Sequence, residues 1–378
     1  MDVVALGELL IDFTPHGVSD QGQPLFERNP GGAPANVLAA LAKLGRKTAF
    51  IGAVGNDDFG RYLAETLDKS GIDTSGMVFT NEARTTLAFV QLDRTGDRSF
   101  TFYRKPGADQ LLKSEDVNTV LVQKAKVFHF GSITLTDEPS RSATLETAAI
   151  ARRHGALISY DPNLRLSLWR DAEHARTAIM EGLQLADVVK LSEEELHFLT
   201  GTSELEKGSS LLMEQYGIAL LFVTMGADGS YCRAAVGEAG AVSANNAEEA
   251  SGASHAENDV ENHADERVSN HVSGSQWDSE GGTESEIRSK SGVSFHSARH
   301  LGYQVEVADT TGSGDAFFGG ALYQLLQAGY PHVDMSIEQL TSLLAFANAM
   351  GALTATGKGA IPSLPELDRV HELVDSGN

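Results

Sequence analysis

A glycine-rich stretch near the end of the sequence, Asp309-Thr310-Thr311-Gly312-Ser313-Gly314-Asp315, combines features that suit chemistry on an anion. Gly312 and Gly314 have no side chain, so backbone N–H groups could approach an anion closely. The apolar run from Ala316 to Gln327 predicts a helix whose N-terminus favours negative charge. Asp315 adds a carboxylate suited to take a proton from a hydroxyl while the amides hold a phosphoryl group. The alternative is a loop whose Ser or Asp only caps a helix.

Three other positions carry polar groups that suit a ligand. Pro30-Gly31-Gly32-Ala33-Pro34-Ala35-Asn36 opens a predicted helix with two glycines and an Asn that can both donate and accept hydrogen bonds. Asp12 ends an early extended segment and could accept from hydroxyl groups, and Arg104 places a cation after a β-like run. Taken singly, these features also fit an ordinary turn, a solvated surface acid and a charged edge strand.

Polar residues also follow three predicted strands. They lie in Asp161-Pro162-Asn163-Leu164-Arg165, in Lys190-Leu191-Ser192-Glu193-Glu194-Glu195 and in Thr224-Met225-Gly226-Ala227-Asp228-Gly229. Because loops after strands gather at the ligand crevice of open α/β sheets, we expect these groups to converge. Glu195 could hold a water on Mg²⁺, although a helix dipole alone also favours an acid there. The glycines of the third loop fit either phosphates or a plain hairpin turn.

The elements that must position these residues alternate between strand and helix from about residue 126 to residue 224, which predicts a parallel sheet with helices on both faces. Two β-like runs, Thr86 to Leu92 and Ser99 to Tyr103, predict a hairpin that interrupts this alternation. Together with an extended segment at Leu9 to Phe13 they suggest a small β lid, from about 9–30 and 84–105. Tyr303 to Val307 is predicted to be the strand that leads into the glycine-rich stretch.

The composition of the chain limits the classes of partner and of cellular location that we expect. The formal net charge of -23 argues against nucleic acid or an anionic membrane surface as partner. Cys232 is the sole cysteine, the N-terminus lacks the basic start of a signal peptide, and no apolar run approaches the roughly 20 residues of a membrane helix. We therefore expect a cytoplasmic protein. Residues 235–298 are acidic and nearly free of aliphatic side chains, which predicts a disordered insertion in a single 378-residue domain.

Taken together, these pieces resemble the carbohydrate kinases of the PfkB (ribokinase-like) family. Gly31-Gly32-Ala33-Pro34-Ala35-Asn36 near the start and Asp309 to Asp315 near the end match the two signature regions, in the right order. The resemblance covers the chain except for the acidic insertion. It implies a ribokinase-like α/β fold, with a mostly parallel central sheet, helices on both faces and a small β lid. Asp161 to Trp169 and Phe102-Tyr103-Arg104 look most like the fructokinase branch.

The resemblance also implies a role for individual residues. Asp315 would be the base, with an anion hole formed by the amides of Gly312, Ser313 and Gly314. The sugar would be held by Asp12, Gly31, Gly32, Asn36, Arg104, Asn163 and Arg165. ATP would be bound by Lys190, Thr224, Gly226, Gly229 and Asn348. Glu195 would bind Mg²⁺ through water, and Asp309 and Thr311 would bind a monovalent cation such as K⁺.

Two departures from the family pattern and several alternatives remain. Ser313 replaces the usual Ala of the anion hole, and Ser192 replaces the usual Asn of the Asn-x-x-Glu motif, which weakens the Mg²⁺ assignment of Glu195. The expected reaction is D-fructose plus ATP to fructose 6-phosphate plus ADP. A kinase for 2-keto-3-deoxygluconate or another sugar is the alternative enzyme, and a sugar-responsive binding protein is the alternative of another class. In relatives the lid can pair with another copy, so a homodimer is expected.

Overall fold

The computed structural model describes residues 1–92, 98–236, 287–288, 294–329 and 335–377. Within these ranges the chain forms fourteen β-strands and ten α-helices. The strands are β1 (Val3–Leu6), β2 (Leu10–Val18), β3 (Pro24–Gly31), β4 (Thr48–Gly55), β5 (Ile72–Thr80), β6 (Leu87–Leu92), β7 (Arg98–Tyr103), β8 (Val127–Gly131), β9 (Leu157–Asp161), β10 (Val188–Ser192), β11 (Leu220–Thr224), β12 (Ser230–Val236), β13 (Ile287–Arg288) and β14 (Ser294–His300). The helices are α1 (Ala33–Lys43), α2 (Asp58–Lys69), α3 (Thr119–Val122), α4 (Ser140–Arg153), α5 (Ala172–Leu183), α6 (Glu193–Thr200), α7 (Leu205–Tyr216), α8 (Ser313–Gln327), α9 (Ile337–Ala355) and α10 (Leu367–Ser376).

Within the described residues, the central sheet contains ten strands in the order β13-β14-β12-β11-β10-β9-β8-β1-β4-β5. The strands from β11 to β5 pair in parallel, whereas β12, β14 and β13 pair antiparallel at one end. Parallel strands joined by helices place their carboxyl ends along one edge of the sheet. The predicted α/β class, with a mostly parallel sheet, is confirmed.

Both faces of the central sheet are buried, because alternate side chains of each strand point to opposite layers. In β1, Val3 and Ala5 belong to the core under α1, α2, α8, α9 and α10, while Val4 and Leu6 belong to the core under α3 to α7. All four side chains are fully buried. The sheet is thus a rigid frame whose carboxyl edge remains available for a site.

Two glycines bring α8 close to its neighbours. A Cβ built on Gly319 would lie 2.7 Å from the Ala40 Cβ of α1, and one on Gly320 would lie 2.9 Å from the Met350 Cγ of α9. A larger residue at Gly319 would push α8 away from α1, and one at Gly320 would displace the Met350 side chain. This packing fixes the N-terminus of α8, and with it Asp315, above the sheet edge.

A second sheet lies beside the first and has the order β3-β2-β6-β7. Aromatic rings hold it together: Phe89 stacks on Phe13 at 4.8 Å between ring centroids and meets Phe26 and Tyr103 edge-on at 5.6 Å. The predicted hairpin corresponds to β6 and β7, which pair antiparallel. The sheet has the position and size expected of the small β lid.

Two expectations from the sequence are corrected by the structure, and a third concerns residues that lie mostly outside the described ranges. Residues 303–307 do not form a strand; the last antiparallel strand among the described residues is β14, and the segment after it lines a cavity instead. The polar segment before Pro30 contains β3, which pairs with β2 through backbone hydrogen bonds that composition does not reveal. Most of the predicted insertion lies outside the described residues, and β14 begins at Ser294, before the expected end of the insertion at residue 298.

Across the described residues, no helix combines the length and the apolar character that a membrane crossing requires.

Candidate active site

Asp315 lies in the first turn of α8 and is almost fully buried. Its Oδ2 accepts a hydrogen bond from Asn36 Nδ2 at 2.8 Å, and its Oδ1 accepts one from Asn163 Nδ2 at 3.3 Å. Burial raises the pKa of Asp315 above its usual 3.8, while the Asn36 bond and the charges of Lys190 and Arg165 limit the rise. A carboxylate with a raised pKa is a better proton acceptor than a solvated one.

Asn36 reaches Asp315 because the entry to α1 is built from glycine. Gly32 is the N-cap of α1 at a φ of 126°, and a Cβ on it would lie 2.4 Å from the backbone oxygen of Glu8. A Cβ on Gly31 would lie 2.1 Å from Asp12 Oδ2, so this glycine leaves room for the Asp12 carboxyl group. The predicted Gly-Gly element therefore leaves room for the Asp12 carboxyl group and positions the Asn36 amide.

Lys190, in the middle of β10, forms a buried ion pair with Asp161 at the end of the neighbouring β9, with 3.0 Å between Nζ and Oδ2. Burial alone would lower the pKa of Lys190, but Asp161, Glu195 and Asp315 raise it, so the ammonium stays charged. A Cβ on Gly314 would lie 3.1 Å from this Nζ. A fixed positive charge therefore lies directly beside the N-terminus of α8.

The loop after β9 brings two further predicted residues to the same place. Asn163 adopts a left-handed conformation, with φ at 46°, and its backbone N–H donates to Asp161 Oδ1 at 3.2 Å. This turn aims the Asn163 amide at Asp315. Arg165, two residues on, lies close enough to stabilise the charged forms of Asp12 and Asp315.

These groups line one cavity of about 360 Å³, named here the first cavity. Residues predicted from the sequence that line it are Asp12, Gly32, Asn36, Asn163, Arg165, Lys190, Thr311, Gly312, Gly314 and Asp315. Burial raises the pKa of Asp12, on β2 of the lid, to about 7, with smaller contributions from Asp315 and Asp309. The first cavity is thus closed on one side by the central sheet and on the other by the lid.

Glu8 also lines the first cavity, and the sequence interpretation missed it. It follows β1, is only 2% exposed, and its Oε1 accepts from the Ala33 N–H in the first turn of α1 at 2.9 Å. Burial raises the pKa of Glu8 to about 7. An acid at the carboxyl end of a buried strand was the available signal: Glu8 lies two residues after β1, and Asp161 is the last residue of β9.

Arg104 is not among the residues that line the first cavity. Its guanidinium is buried, with Nε 2.7 Å from Asp109 Oδ2, Nη1 donating to Thr136 Oγ1 at 2.9 Å and Nη2 donating to the Ile133 carbonyl at 3.0 Å. Ile133 itself lines the cavity. In this conformation Arg104 supports the cavity wall, so its predicted contact with a sugar stays a prediction.

Glu195 closes a capping box at the start of α6. Its Oε2 accepts from the Ser192 N–H at 2.7 Å, its N–H donates to Ser192 Oγ at 3.2 Å, and its Oε1 accepts from the Leu164 N–H at 2.6 Å. Ser192 therefore replaces the usual Asn as a good N-cap. Each carboxylate oxygen already accepts a hydrogen bond from a backbone N–H, so only its second lone pair remains for a metal-bound water.

Asp309 and Thr311 form a closed turn before α8. Asp309 Oδ1 accepts from the Thr311 N–H at 2.8 Å and from Thr311 Oγ1 at 2.6 Å, while Oδ2 accepts from the Gly359 N–H at 3.0 Å. Gly312 follows at a φ of 78°, and a Cβ there would lie 2.3 Å from the Ala360 Cβ. The turn fixes the approach to the α8 N-terminus, where the Ser313 N–H donates to the Thr310 carbonyl at 3.2 Å.

A second cavity of about 370 Å³ adjoins the first at Thr310 and Gly314, and we name it the second cavity. The predicted residues Thr224, Gly226, Gly229, Ser313 and Asn348 line it. Its remaining wall is mostly apolar and was missed from the sequence: Tyr303, Val305, Val307, Phe317, Ala352 and Ala355. Apolar residues at ordinary spacing give no signal that separates a ligand wall from a strand.

The two cavities converge on one helix N-terminus. Asp315 and the first-turn amides of α8 face this junction, and Lys190 supplies positive charge there. Such a junction can hold a hydroxyl beside a base and an anion beside amides, the arrangement that phosphoryl transfer requires. Among the described residues, no group of three or more His, Cys, Asp or Glu side chains forms a metal cluster.

A family model described as pfkB family carbohydrate kinase matches residues 1–253 and 241–367 of the chain. Among curated proteins, Fructokinase-1 of Oryza sativa subsp. japonica is 41% identical over 378 residues, which cover 99% of this chain and 98% of that protein. Fructokinase-1 of Zea mays is 40% identical over 377 residues, with 99% and 97% covered.

Solved structures are similar over the same length. Fructokinase with bound ATP from Xylella fastidiosa has a TM-score of 0.77 and 30% identity, covering 99% of this chain and 98% of that chain. A double mutant of the fructokinase from Vibrio cholerae O395, in a form bound to fructose, ADP and potassium ion, has a TM-score of 0.74 and 32% identity, covering 99% and 98%. The expected ribokinase-like fold, with its small lid sheet, is confirmed by these neighbours.

Proposed function

The chain belongs to the pfkB family of carbohydrate kinases, and from this premise we propose that it is an ATP-dependent fructokinase that converts D-fructose and ATP to fructose 6-phosphate and ADP. The single observation that carries the proposal is the position of Asp315, buried at the junction of the two cavities and held by two Asn amides. In the proposal the sugar occupies the first cavity and ATP the second, with its phosphates toward Gly314.

The reaction then follows from the geometry. A sugar hydroxyl in the first cavity gives its proton to Asp315 as its oxygen attacks the terminal phosphorus of ATP. The bond from that phosphorus to the bridging oxygen breaks, and ADP leaves. Negative charge that develops on the transferred group meets the α8 first-turn amides and the Lys190 ammonium. Asp12, Asn36, Asn163 and Arg165 are proposed to orient the sugar.

Metal ions are part of the proposal. Mg²⁺, when bound, neutralises phosphate charge and polarises the transferred group. Glu195 fits a role through water rather than direct ligation, because both of its oxygens already accept backbone N–H bonds. Asp309 and Thr311 supply oxygen atoms suited to a hard monovalent cation such as K⁺, and their turn is already closed by three hydrogen bonds.

Two alternatives are distinguished by residues in the first cavity. A 2-keto-3-deoxygluconate kinase would need a cation for the substrate carboxylate, and Arg165 is the arginine that lines the cavity within the described residues. A sugar-responsive binding protein would have no use for a buried base. The curated relatives favour the fructokinase, since both of those described above carry that name.

The decisive experiment is a panel of sugars in a coupled ADP-release assay, with fructose, ribose, glucose and 2-keto-3-deoxygluconate at matched concentrations. We expect the highest kcat/KM with fructose. A tenfold or greater preference for the keto acid would replace the proposed substrate while keeping the kinase. Sugar binding by calorimetry without ADP release for any sugar would instead favour the binding protein.

We also propose a homodimer through the lid. Val18, Leu25, Phe26 and Tyr103 of the small sheet are between 43% and 67% exposed, which is unusual for large apolar side chains clustered on one sheet. Light scattering after size-exclusion chromatography should give twice the 40.3 kDa chain mass. The variant Phe26→Lys should give a monomer, and Val120→Lys, at an exposed apolar residue outside the lid, should remain a dimer.

A further inference from the structure

One wall of the second cavity carries a polar side chain whose orientation is fixed by a neighbouring histidine. Asn348, on α9, is only 8% exposed, and its Nδ2 lies 3.0 Å from His300 Nδ1 and 3.4 Å from the His300 carbonyl oxygen. A carbonyl oxygen only accepts, so the group that faces His300 must be the Asn348 NH₂. This settles which way the amide is turned, a choice that geometry alone often leaves open.

His300 is well placed to hold the Asn348 amide in this orientation. It is the last residue of β14, and its ring packs on Tyr303 at 5.3 Å between ring centroids. A Cβ on Gly229 would lie 2.1 Å from the His300 carbonyl oxygen, so the loop after β11 packs directly on this backbone. Burial lowers the pKa of His300 below its usual 6.5, so at neutral pH the uncharged ring can accept at Nδ1.

The consequence concerns the opposite edge of the amide. With Nδ2 turned toward His300, Asn348 Oδ1 points away from it, and no described residue donates to this oxygen. Tyr303, Phe317 and Ala352 make the surrounding wall apolar. A hydrogen-bond acceptor in an apolar wall strengthens the binding of a ligand edge that donates a hydrogen bond and weakens the binding of an edge that accepts one.

We propose that His300 is a positioning residue that fixes Asn348 as an acceptor, and that the pair selects a nucleobase that donates a hydrogen bond, adenine, over one that presents a carbonyl, hypoxanthine or guanine. The inference rests on the proposed function, in which the second cavity takes the nucleotide. The 6-amino group of adenine supplies the donor. Replacing it by the 6-oxo group of hypoxanthine places two acceptors against each other.

The test measures binding of ADP and IDP to the full chain by titration calorimetry, because these probes differ at the nucleobase. We expect the wild type to bind ADP about 10-fold or more tightly than IDP, the effect of one unpaired buried polar group. His300→Leu should lower this preference about 3- to 10-fold. His300→Asn, whose side-chain oxygen replaces Nδ1 as acceptor, should restore it. His154→Leu, at an exposed histidine outside both cavities, is the matched control and should bind as the wild type does.

Kinetics separate positioning from general damage. In His300→Leu the KM for ATP should rise, with a smaller change in kcat and in the KM for fructose. If this variant fails to fold, Asn348→Ser gives the same test, and its ADP-to-IDP preference should fall close to 1. Equal binding of ADP and IDP by the wild type, or an unchanged preference in His300→Leu, would overturn the inference. A wild type that prefers ADP but phosphorylates no sugar would uphold it and remove the proposed function.

Discussion

The two cavities that meet at the N-terminus of α8 are nearly equal in size, about 360 and 370 Å³, but opposite in chemistry. The first is lined by five charged residues, namely Glu8, Asp12, Arg165, Lys190 and Asp315. None of the described residues that line the second is charged, and most of its wall is apolar. The contrast matches the proposed ligands, a hydroxyl-rich sugar on one side and a flat nucleobase on the other.

The difference also teaches which parts of the site are costly to fold. In the first cavity, burial pushes the pKa of three carboxyl groups upward, so the folded chain holds charge where water would hold it better. In the second, apolar side chains are buried at no such cost. Removing a carboxyl group whose pKa is raised by burial should therefore lower activity without lowering stability, whereas removing a charge that is paired in the first cavity should lower both. Substitutions in the second cavity should act mainly on binding and change stability little.

The largest expected effect is at Asp315. Asp315→Ala removes the proton acceptor, and kcat should fall about 10²- to 10⁴-fold while fructose and ADP still bind. The unfolding temperature should stay the same or rise, because a buried carboxylate is lost. Steady-state kinetics, calorimetry and thermal unfolding measure the three quantities. Glu214→Ala, which removes an exposed carboxylate of α7 outside both cavities, is the control. Activity close to the wild type in Asp315→Ala would refute the assignment of the base.

Lys190 should come next, and it tests whether the junction needs a fixed positive charge. Lys190→Met should lower kcat about 10²- to 10³-fold, as loss of one electrostatic contact to the transition state does. It also leaves Asp161 buried without its partner, which costs about 3–5 kcal/mol of unfolding free energy.

The double variant Lys190→Met with Asp161→Asn separates these two losses. It should recover most of the unfolding free energy, measured by urea denaturation, without recovering kcat. If activity returns with stability, Lys190 serves the fold and not the chemistry.

The chemical groups of the first cavity could be predicted from the sequence, while much of their surroundings could not. Asp315, Asn36 and Asn163 stand in glycine- or proline-containing loops after predicted strands or before predicted helices, and parallel-sheet topology brings such loops together. Arg104 shows the limit, since its neighbours Asp109 and Thr136 are set by tertiary packing. Much of the second cavity could not be predicted, because Tyr303 to Val307 has the composition of a strand but pairs with no other strand in the described part of the chain.

The pH dependence of stability at Glu8 tests whether burying acids in the first cavity is costly. Its folded pKa of about 7 exceeds its ordinary 4.5, so between these values the folded state keeps a proton that the unfolded state has lost. Stability from this group is therefore full below about pH 4.5 and is lost as the pH rises through 7. The Gln side chain of Glu8→Gln can still accept from the Ala33 N–H, and the unfolding free energy of this variant relative to the wild type should be roughly 3 kcal/mol higher at pH 8 than at pH 4.5. Urea denaturation at both pH values measures it; parallel pH profiles would contradict the assignment.

The smallest expected effect is at Ser313, where the chain departs from the usual Ala of its family. Its Oγ is buried with no hydrogen-bond partner among the described residues, and its backbone N–H donates to Thr310. Because the proposed anion hole uses amides and not side chains, Ser313→Ala should leave kcat within about twofold. Removing an unpaired buried hydroxyl should raise the unfolding free energy by about 1 kcal/mol.

Ser313→Val, which fills the same position with a branched side chain, is the matched contrast and should raise the KM for ATP by narrowing the second cavity. A large loss of kcat in Ser313→Ala would mean that the hydroxyl itself contacts the transferred group. The second cavity would then share in the chemistry that the comparison assigns to the first.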